Sequence, residues 1–521
     1  MSIFDYIIVG AGSAGCVLAN RLTAKAKTTV LLLEAGQPDK KQEIHIPAAW
    51  PKLMKSTFDW AYETEPQARL NNRRLFWPRG KTLGGSSSTN ALIYSRANRA
   101  DHDHWQSLCG AGWGYDDLLP YYKQAENQQH GASEFHGSDG PLSVADLRSP
   151  HVLSQAFLAA CVETGLPRNP DFNGAAQEGV GLFQVTQKNG QRHSTAAAYL
   201  KPVLSRPNLT VRTGAHATRI LFEQQRAVGV EFIHAGKHER TSANREVILC
   251  GGTINSPQLL LLSGIGNTEH LRALKIPVVT DLPGVGQNLQ DHLLTGIQYD
   301  CTQPISMATA ETIGNIAKYL LFKKGPLSSN IAEAGGFLKT RADLPAPDLE
   351  LMFAPVFYMN HGFDNPPGHG FAIGIVLQHP RSAGHVALRS NDPFAAPRIE
   401  PNYLADENDL TTLIAGVKLG RQIAQASALS PYRGEEVWPG QDAKTDEGLA
   451  AFIRSASETL YHPVGTCKMG TDAMAVVDPS LRVRGITGLR VVDASIFPAQ
   501  TNGHPNAVVI AIAEKAAAMI G

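Results

Sequence analysis

Hydrophobic residues near the start of the chain gather in the run Tyr6 to Val9, which stops at the turn Gly10-Ala-Gly12-Ser-Ala-Gly15. The pattern predicts a buried strand, then a helix over Cys16 to Thr23. A second apolar run, Thr29 to Leu33, predicts another strand ending at Glu34. Strand, glycine turn, helix and strand make a βαβ unit within about thirty residues. Further on, Thr210 to Arg212, Ala217 to Phe222 and Val228 to Ile233 lead into the apolar segment Glu246 to Cys250, the pattern of a small antiparallel meander returning to a parallel sheet. Leu489 to Asp493 predicts a late strand ending in an acid, and Asn506 to Ile520, behind Pro505, an alanine-rich buried helix.

The first turn has the chemistry of a dinucleotide cradle. Gly10 permits the tight turn, Gly12 lets backbone approach a pyrophosphate, and Gly15 lets helix and strand pack closely. The helix that follows presents the free N–H groups of its N-terminus to phosphate. Glu34, with Ala35 behind it, is placed to accept hydrogen bonds from ribose hydroxyls, and an acid there disfavours the 2′-phosphate of NADP. Taken alone, a Gly-x-Gly-x-x-Gly turn is also compatible with an ordinary α/β protein; the flanking strands and the acid favour the dinucleotide.

Length and charge narrow the field. With 521 residues, 43% of them hydrophobic, the chain is too long for a small binding module and can bury a large core. Lys plus Arg and Asp plus Glu are both 47, so no global field draws in nucleic acid. The six cysteines carry no Cys-x-x-Cys pair and no zinc spacing, which predicts reduced thiols and no metal centre. The first apolar stretch has Asp5 in front and three glycines inside it, unlike a signal peptide, and no run approaches the roughly eighteen residues of a membrane span. A cytoplasmic protein is the default expectation, with peripheral membrane contact through an exposed apolar patch left open. The separated strands predict an α/β protein whose nucleotide domain is discontinuous, residues 1–155, 192–300 and 457–521, with an inserted α+β substrate domain of residues 156–191 and 301–456.

At Arg79-Gly-Lys-Thr82-Leu-Gly84-Gly85-Ser86-Ser-Ser-Thr89-Asn90 the sequence resembles the glucose-methanol-choline (GMC) oxidoreductases. The resemblance continues through Gly252 to Gly266, Gly286 to His292, Tyr461 to Thr466 and Leu489 to Ala494, in family order over essentially the whole chain. The stretch Val185 to Arg192 looks most like bacterial alcohol and choline dehydrogenases. The resemblance implies bound FAD in a Rossmann-like domain. The ADP half falls to Gly10, Gly12, Gly15 and Glu34, the pyrophosphate and flavin to Arg79, Gly84, Gly85, Ser86 and Asn90, and Ser13, Ala14, Ala35, Thr82, Ile93 and Ala217 are further cofactor contacts. Asp493, Ala494 and Asn506 close over the ring, with the helix from about Asn506 presenting its N-terminus to the flavin. Some members bond the flavin covalently through a His directly before the Asn; here that position is Thr89, which implies dissociable FAD.

For chemistry, the resemblance places the active-site base at His462, an imidazole being suited to proton transfer near neutral pH. The second polar residue of the family pair, His or Asn, falls at His504, with Asn506 the rival if the loop register slips. Glu333 and His361 are polar candidates for the substrate side, though each reads more readily as an ordinary surface or loop residue. Asp291-His292 reads as a structural or flavin-contacting element. The implied reaction is oxidation of a primary aliphatic or aryl alcohol to an aldehyde. Electrons then pass to a quinone or other carrier in a dehydrogenase, or to O2 in an oxidase. Hydroxynitrile lyases of the same fold are the alternative without net redox chemistry.

Overall fold

The computed structural model describes residues 3–440 and 443–521. In chain order, β1 (Ile3–Val9), α1 (Ser13–Leu22) and β2 (Val30–Glu34) form the opening unit. After a long excursion come β3 (Leu209–Thr213), β4 (Ala215–Glu223), β5 (Arg226–His234), β6 (Lys237–Leu249) and α2 (Gly252–Leu262). The next stretch supplies β7 (Leu293–Cys301), α3 (Ile313–Phe322), β8 (Ala334–Leu338), β9 (Leu349–Ala354), β10 (Gly370–Leu377), α4 (Glu407–Ala424), β11 (Arg433–Trp438) and β12 (Glu458–Thr459). The chain closes with β13 (Leu489–Val491) and α5 (Pro505–Ile520).

Seven strands form the first sheet in the order β3-β2-β1-β6-β5-β4, with β13 beside β6. β2 is buried at every position and β1 over its last four, the near-continuous apolar run of strands covered on both faces. The single strand β6 does two jobs: its first half pairs antiparallel with β5 and its second half parallel with β1 and β13. The expected meander is therefore only β4, β5 and β6. Leu209–Thr213 instead pairs parallel with β2 as the sheet edge, because its ladder runs Leu209 to Val30 through Thr213 to Glu34.

The second sheet has six strands, ordered β8-β9-β10-β7-β11 with β12 beside β7. Its period-two alternation gives two unlike faces. Ile297, Phe371, Ile373, Ile375, Leu351 and Phe353 belong to a buried core packed with α4, where Gly416 and Gly420 leave room for Ile375 and Ile297. Leu294, Gly296, Met352, Ala354, Ala372 and Gly374 fall on the opposite phase. The first strand of this sheet starts at Leu293, so residues 293–300, which the sequence division put with the nucleotide domain, pair here with β10 instead.

α1 and α5 lie side by side and parallel. Ser13 Oγ donates to Asn506 Oδ1 at 2.6 Å, and eight residues further along both helices Arg21 grips Glu514 through Nε and Nη2, each at 2.7 Å. Tyr199 Oη and Gln124 Nε2 also donate to the Glu514 carboxylate, at 2.8 and 2.9 Å. Four hydrogen bonds to one fully buried carboxylate hold the two helices in register, so that both N-termini reach the same region. The six cysteines are unpaired thiols, and among the described residues no helix is long and apolar enough to cross a membrane and no group of side chains could hold a metal ion. Replacing Glu514 by Ala should strip Arg21 and Tyr199 of their common acceptor, at about 3 kcal/mol of stability. Chemical denaturation should then show a lower midpoint, and an unchanged midpoint would mean that the clamp holds nothing.

Candidate active site

A cleft of about 390 Å³ runs between the two sheets' facing elements and gathers residues from every part of the chain. The first glycine turn brings Gly10, Gly12, Ser13 and Ala14 to its wall; Glu34, Ala35 and Ala217 join from β2 and β4 and their flanks. Arg79, Gly85, Ser86 and Asn90 line it from the second glycine turn, with Ile93 just beyond. Asp493, Ala494, Asn506, His462 and His504 complete the predicted set that meets there. Gly15, Thr82 and Gly84 do not line the cleft. Gly15 lies against the Gly10 carbonyl, where an added Cβ would come within 1.9 Å, and the Thr82 hydroxyl is spent on the Gln37 carbonyl at 2.7 Å. Gly84 donates its N–H to Ala11 O at 2.7 Å, pinning one turn on the other, and Gly85 then packs on the Gly12 Cα. These three shape the cradle from behind.

The cradle suits a dinucleotide. At Gly12, φ is −75°, and a Cβ built there would meet nothing nearer than Cys250 O at 3.9 Å. What glycine provides here is open space at the wall rather than an unusual backbone. Gly12 is also the N-cap of α1 and offers no side-chain cap, which leaves the first-turn N–H groups for a ligand. The buried Glu34 carboxylate accepts one backbone N–H on each oxygen, from Ala11 at 2.9 Å and Gly36 at 2.8 Å, and each oxygen keeps a lone pair for a hydroxyl. Burial pushes its pKa up to about 7, against the pull of those N–H groups and of Lys81. Arg192, buried beneath the second turn, donates to Asn90 Oδ1 at 2.7 Å and to the Ser87 carbonyl at 3.1 Å, and burial lowers its pKa to about 9. Arg192 fixes the Asn90 side chain, a role that sequence reading did not find because nothing in the local pattern distinguishes it from a surface arginine.

Beside the cradle stands a row of three histidines. His292 Nε2 lies 3.0 Å from the Gln378 carbonyl, which can only accept, so the network assigns the His292 proton to Nε2. Its Nδ1 is then an acceptor, 3.0 Å from His462 Nδ1, which must donate. That leaves neutral His462 with a lone pair on Nε2, 3.1 Å from His504 Nδ1. Beyond, His504 Nε2 meets Glu350 Oε1 at 3.0 Å. Burial first, then His504, His292 and Arg79, hold the His462 pKa well below that of a free imidazole. His292 is pushed down to about 3, again mainly by burial.

The backbone around this row is tightly held. His462 donates its N–H to Asp291 Oδ1 at 2.8 Å, and its carbonyl accepts from Gln500 Nε2 at 2.9 Å. Asp291 also accepts from Thr459 Oγ1 and Tyr403 Oη, and burial pushes its pKa up to about 6. The preceding Tyr461 has φ +67°, a strained value for a bulky residue, kept in place by Thr459 Oγ1 on its N–H and by Arg79 on its carbonyl. His504 is the N-cap of α5 and follows Gly503, φ +72°, where a Cβ would strike Ser95 Oγ at 2.1 Å.

His292 is thus placed behind His462 and off the cleft wall. Glu350 escaped notice because Leu349, Leu351 and Phe353 alternate with it and give it the phase of a solvent-facing residue; in the fold it is buried, with His504 on one oxygen and Gln378 on the other. Glu333 is buried as well, correcting the surface reading: its carboxylate accepts from His151 N–H and Ser154 Oγ, both at 2.7 Å, and from Ser329 Oγ at 2.6 Å. His361 is buried against Tyr461 Oη at 2.6 Å, and neither it nor Glu333 lines the cleft.

Two models of the GMC oxidoreductase family match residues 4–294 and 380–513. The chain is 46% identical to an alcohol dehydrogenase (acceptor) of Pseudomonas putida over 99% of its own length and 96% of the relative's. It is 45% identical to the mitochondrial choline dehydrogenase of Homo sapiens, covering 99% and 89%. Among solved structures, pyridoxine 4-oxidase from Mesorbium loti superposes with a TM-score of 0.91 at 33% identity, over 99% of this chain and 98% of that one. A formate oxidase of Aspergillus oryzae, from work on its FAD modification, gives 0.93 at 28% identity, over 100% and 98%. Gly12→Val puts methyl groups into the open space where the cradle approaches its ligand, at a backbone conformation valine accepts. Dinucleotide content of the purified protein should fall roughly tenfold or more, with the ligand-free denaturation midpoint little changed; normal content would remove Gly12 from the cradle.

Proposed function

This chain belongs to the GMC oxidoreductase family, and from that premise we propose that it oxidises a primary alcohol carrying an apolar chain to the aldehyde, as a dehydrogenase with His462 as base and His504 as its partner. It is an FAD-dependent oxidoreductase acting on alcohols. The observation that carries the finer reading is the neutral His462, whose Nε2 stands at the cleft as an acceptor, 3.1 Å from His504 Nδ1 and beside the N-terminus of α5.

FAD bound in the cleft supplies the acceptor for the hydride that leaves the carbinol carbon. His462 takes the hydroxyl proton at Nε2. His504 Nδ1 lies 3.1 Å across from that nitrogen and His504 Nε2 meets the Glu350 carboxylate at 3.0 Å, so the incoming proton is shared within a coupled pair. Glu350 offsets the resulting positive charge, and His292 keeps the His462 proton on Nδ1 so that Nε2 stays available. Gln378 ties both ends of the row together: its carbonyl receives His292, and its amide donates to Glu350 Oε2 at 2.9 Å. His292 is fully buried and His504 nearly so, which keeps bulk water from the far side of the row.

An apolar substrate chain is supported by the cleft-side phase of the second sheet. Leu294, Gly296, Met352, Ala354, Ala372 and Gly374 all line the cleft, mostly small and without charge. The acceptor reading rests on the Pseudomonas relative, which carries that word in its name. Asn90 is preceded by Thr89, an alcohol with no imidazole to bond the flavin, which supports a dissociable cofactor.

Anaerobic titration with straight-chain and aryl primary alcohols tests the reading. The oxidised flavin bands should bleach and should recover slowly when air is admitted; rapid recovery would make the protein an oxidase. Absence of bleaching with every alcohol would favour lyase chemistry. His462→Ala should retain flavin and slow bleaching by at least about 10²-fold, the scale of a lost general base; wild-type bleaching would take His462 out of the reaction. Acid precipitation should leave FAD in the supernatant, whereas flavin held in the pellet would contradict the inference from Thr89.

A further inference from the structure

The apolar stripe of α3 points away from the protein. Ile313, Ile316, Ala317, Leu320 and Leu321 recur at the spacing that ordinarily turns a helix toward a core. Here Ile313 is 88% exposed, Leu321 74% and Leu320 52%, and Phe322 adds a further exposed ring at the C-terminus. Tyr319, on the other side, is the one buried residue of the helix, and its hydroxyl donates to the Gly190 carbonyl at 3.2 Å. Contiguous exposed apolar surface of this kind marks an interaction site rather than a solvated face.

Charge identifies the partner. Lys318, Lys323 and Lys324 edge the stripe, and none of them forms an ion pair among the described residues; the Lys323 ammonium sits over the Tyr319 ring at 4.7 Å. Glu311, the one acid between residues 310 and 325, is engaged by Lys52. An apolar stripe bordered by lysines is the pattern of a helix lying in a membrane interface, stems along the acyl boundary and ammonium groups at the headgroups. A second copy of the chain is the poorer partner, since pairing two such helices about a two-fold axis would bring lysines against lysines.

We propose that α3 docks this protein on a lipid surface carrying anionic headgroups, with its stripe in the acyl boundary and its lysines against the headgroup phosphates. The docked face adjoins the cleft. Nine residues beyond the helix, Ile331 lines the cleft wall, and Trp50 Nε1 donates to the neighbouring Asn330 carbonyl at 3.1 Å. Trp50 and Leu53 line the cleft too. An apolar substrate dissolved in the lipid would thus meet the protein beside its binding cavity. The docking itself rests only on α3 and stands apart from the reaction proposed above.

Sedimentation of the flavin-loaded protein with vesicles provides the test. Wild type should pellet with phosphatidylcholine vesicles that contain phosphatidylglycerol, bind vesicles of phosphatidylcholine alone more weakly, and lose the difference at high salt. Leu321→Asp and, separately, Ile313→Asp should each weaken binding by roughly tenfold or more. Both residues are exposed, so the flavin absorbance and denaturation midpoint should match wild type. Lys323→Glu with Lys324→Glu should abolish the preference for phosphatidylglycerol. Wild type left in the supernatant with both vesicles would overturn the proposal, as would undiminished binding by both Asp variants. A dimer by light scattering that Leu321→Asp converts to monomer, without vesicle binding, would assign the face to a second copy and overturn it equally.

Discussion

A carbonyl oxygen at one end and a carboxylate at the other determine where three histidines can keep their protons. Gln378 O takes the Nε2–H of His292, which forces His462 to donate from Nδ1 and leaves its Nε2 bare. Glu350 terminates the far side at His504. Burial keeps His462 neutral and so preserves that lone pair. Breaking either anchor would release a ring to turn over, and the Nε2 acceptor of His462 would no longer be held at the cleft.

The architecture around the row serves this aim. Glu350 sits on β9, between residues that face the α4 core, so the register of the second sheet decides that its carboxylate reaches the histidines. His504 is the N-cap of α5, whose register against α1 is held by Glu514. One helix thus links the nucleotide cradle to the histidine row: Asn506 touches Ser13 of the cradle, and His504 stands two residues away beside His462. The cradle itself depends on two glycine turns pressed together, with Gly84 and Gly85 resting on Ala11 and Gly12.

The first strands, α1, α5 and the acid that ends β2 were legible because their signals are local: a continuous apolar run, a glycine turn, a proline before an alanine-rich stretch. The edge role of Leu209–Thr213 was not, because five residues of alternating character suit a meander and a parallel edge equally. Likewise β7 could not be assigned to its sheet, since pairing with β10 is a choice among partners distant in sequence. Among site residues, His462 and His504 stood in recognisable motifs. Glu350, Gln378 and Arg192 did not, being an acid, an amide and a base in segments with no punctuation of their own.

The sequence by itself determined the dinucleotide cradle, the residue types of the histidine pair and the absence of a global charge, since each is written in a few adjacent residues or in composition. Only the tertiary structure decided which nitrogen of His462 is bare, which acid stands behind His504, and that the stripe of α3 faces outward. Those depend on which surfaces meet across two sheets and many intervening residues, and a one-residue change of register would move each of them to the opposite face.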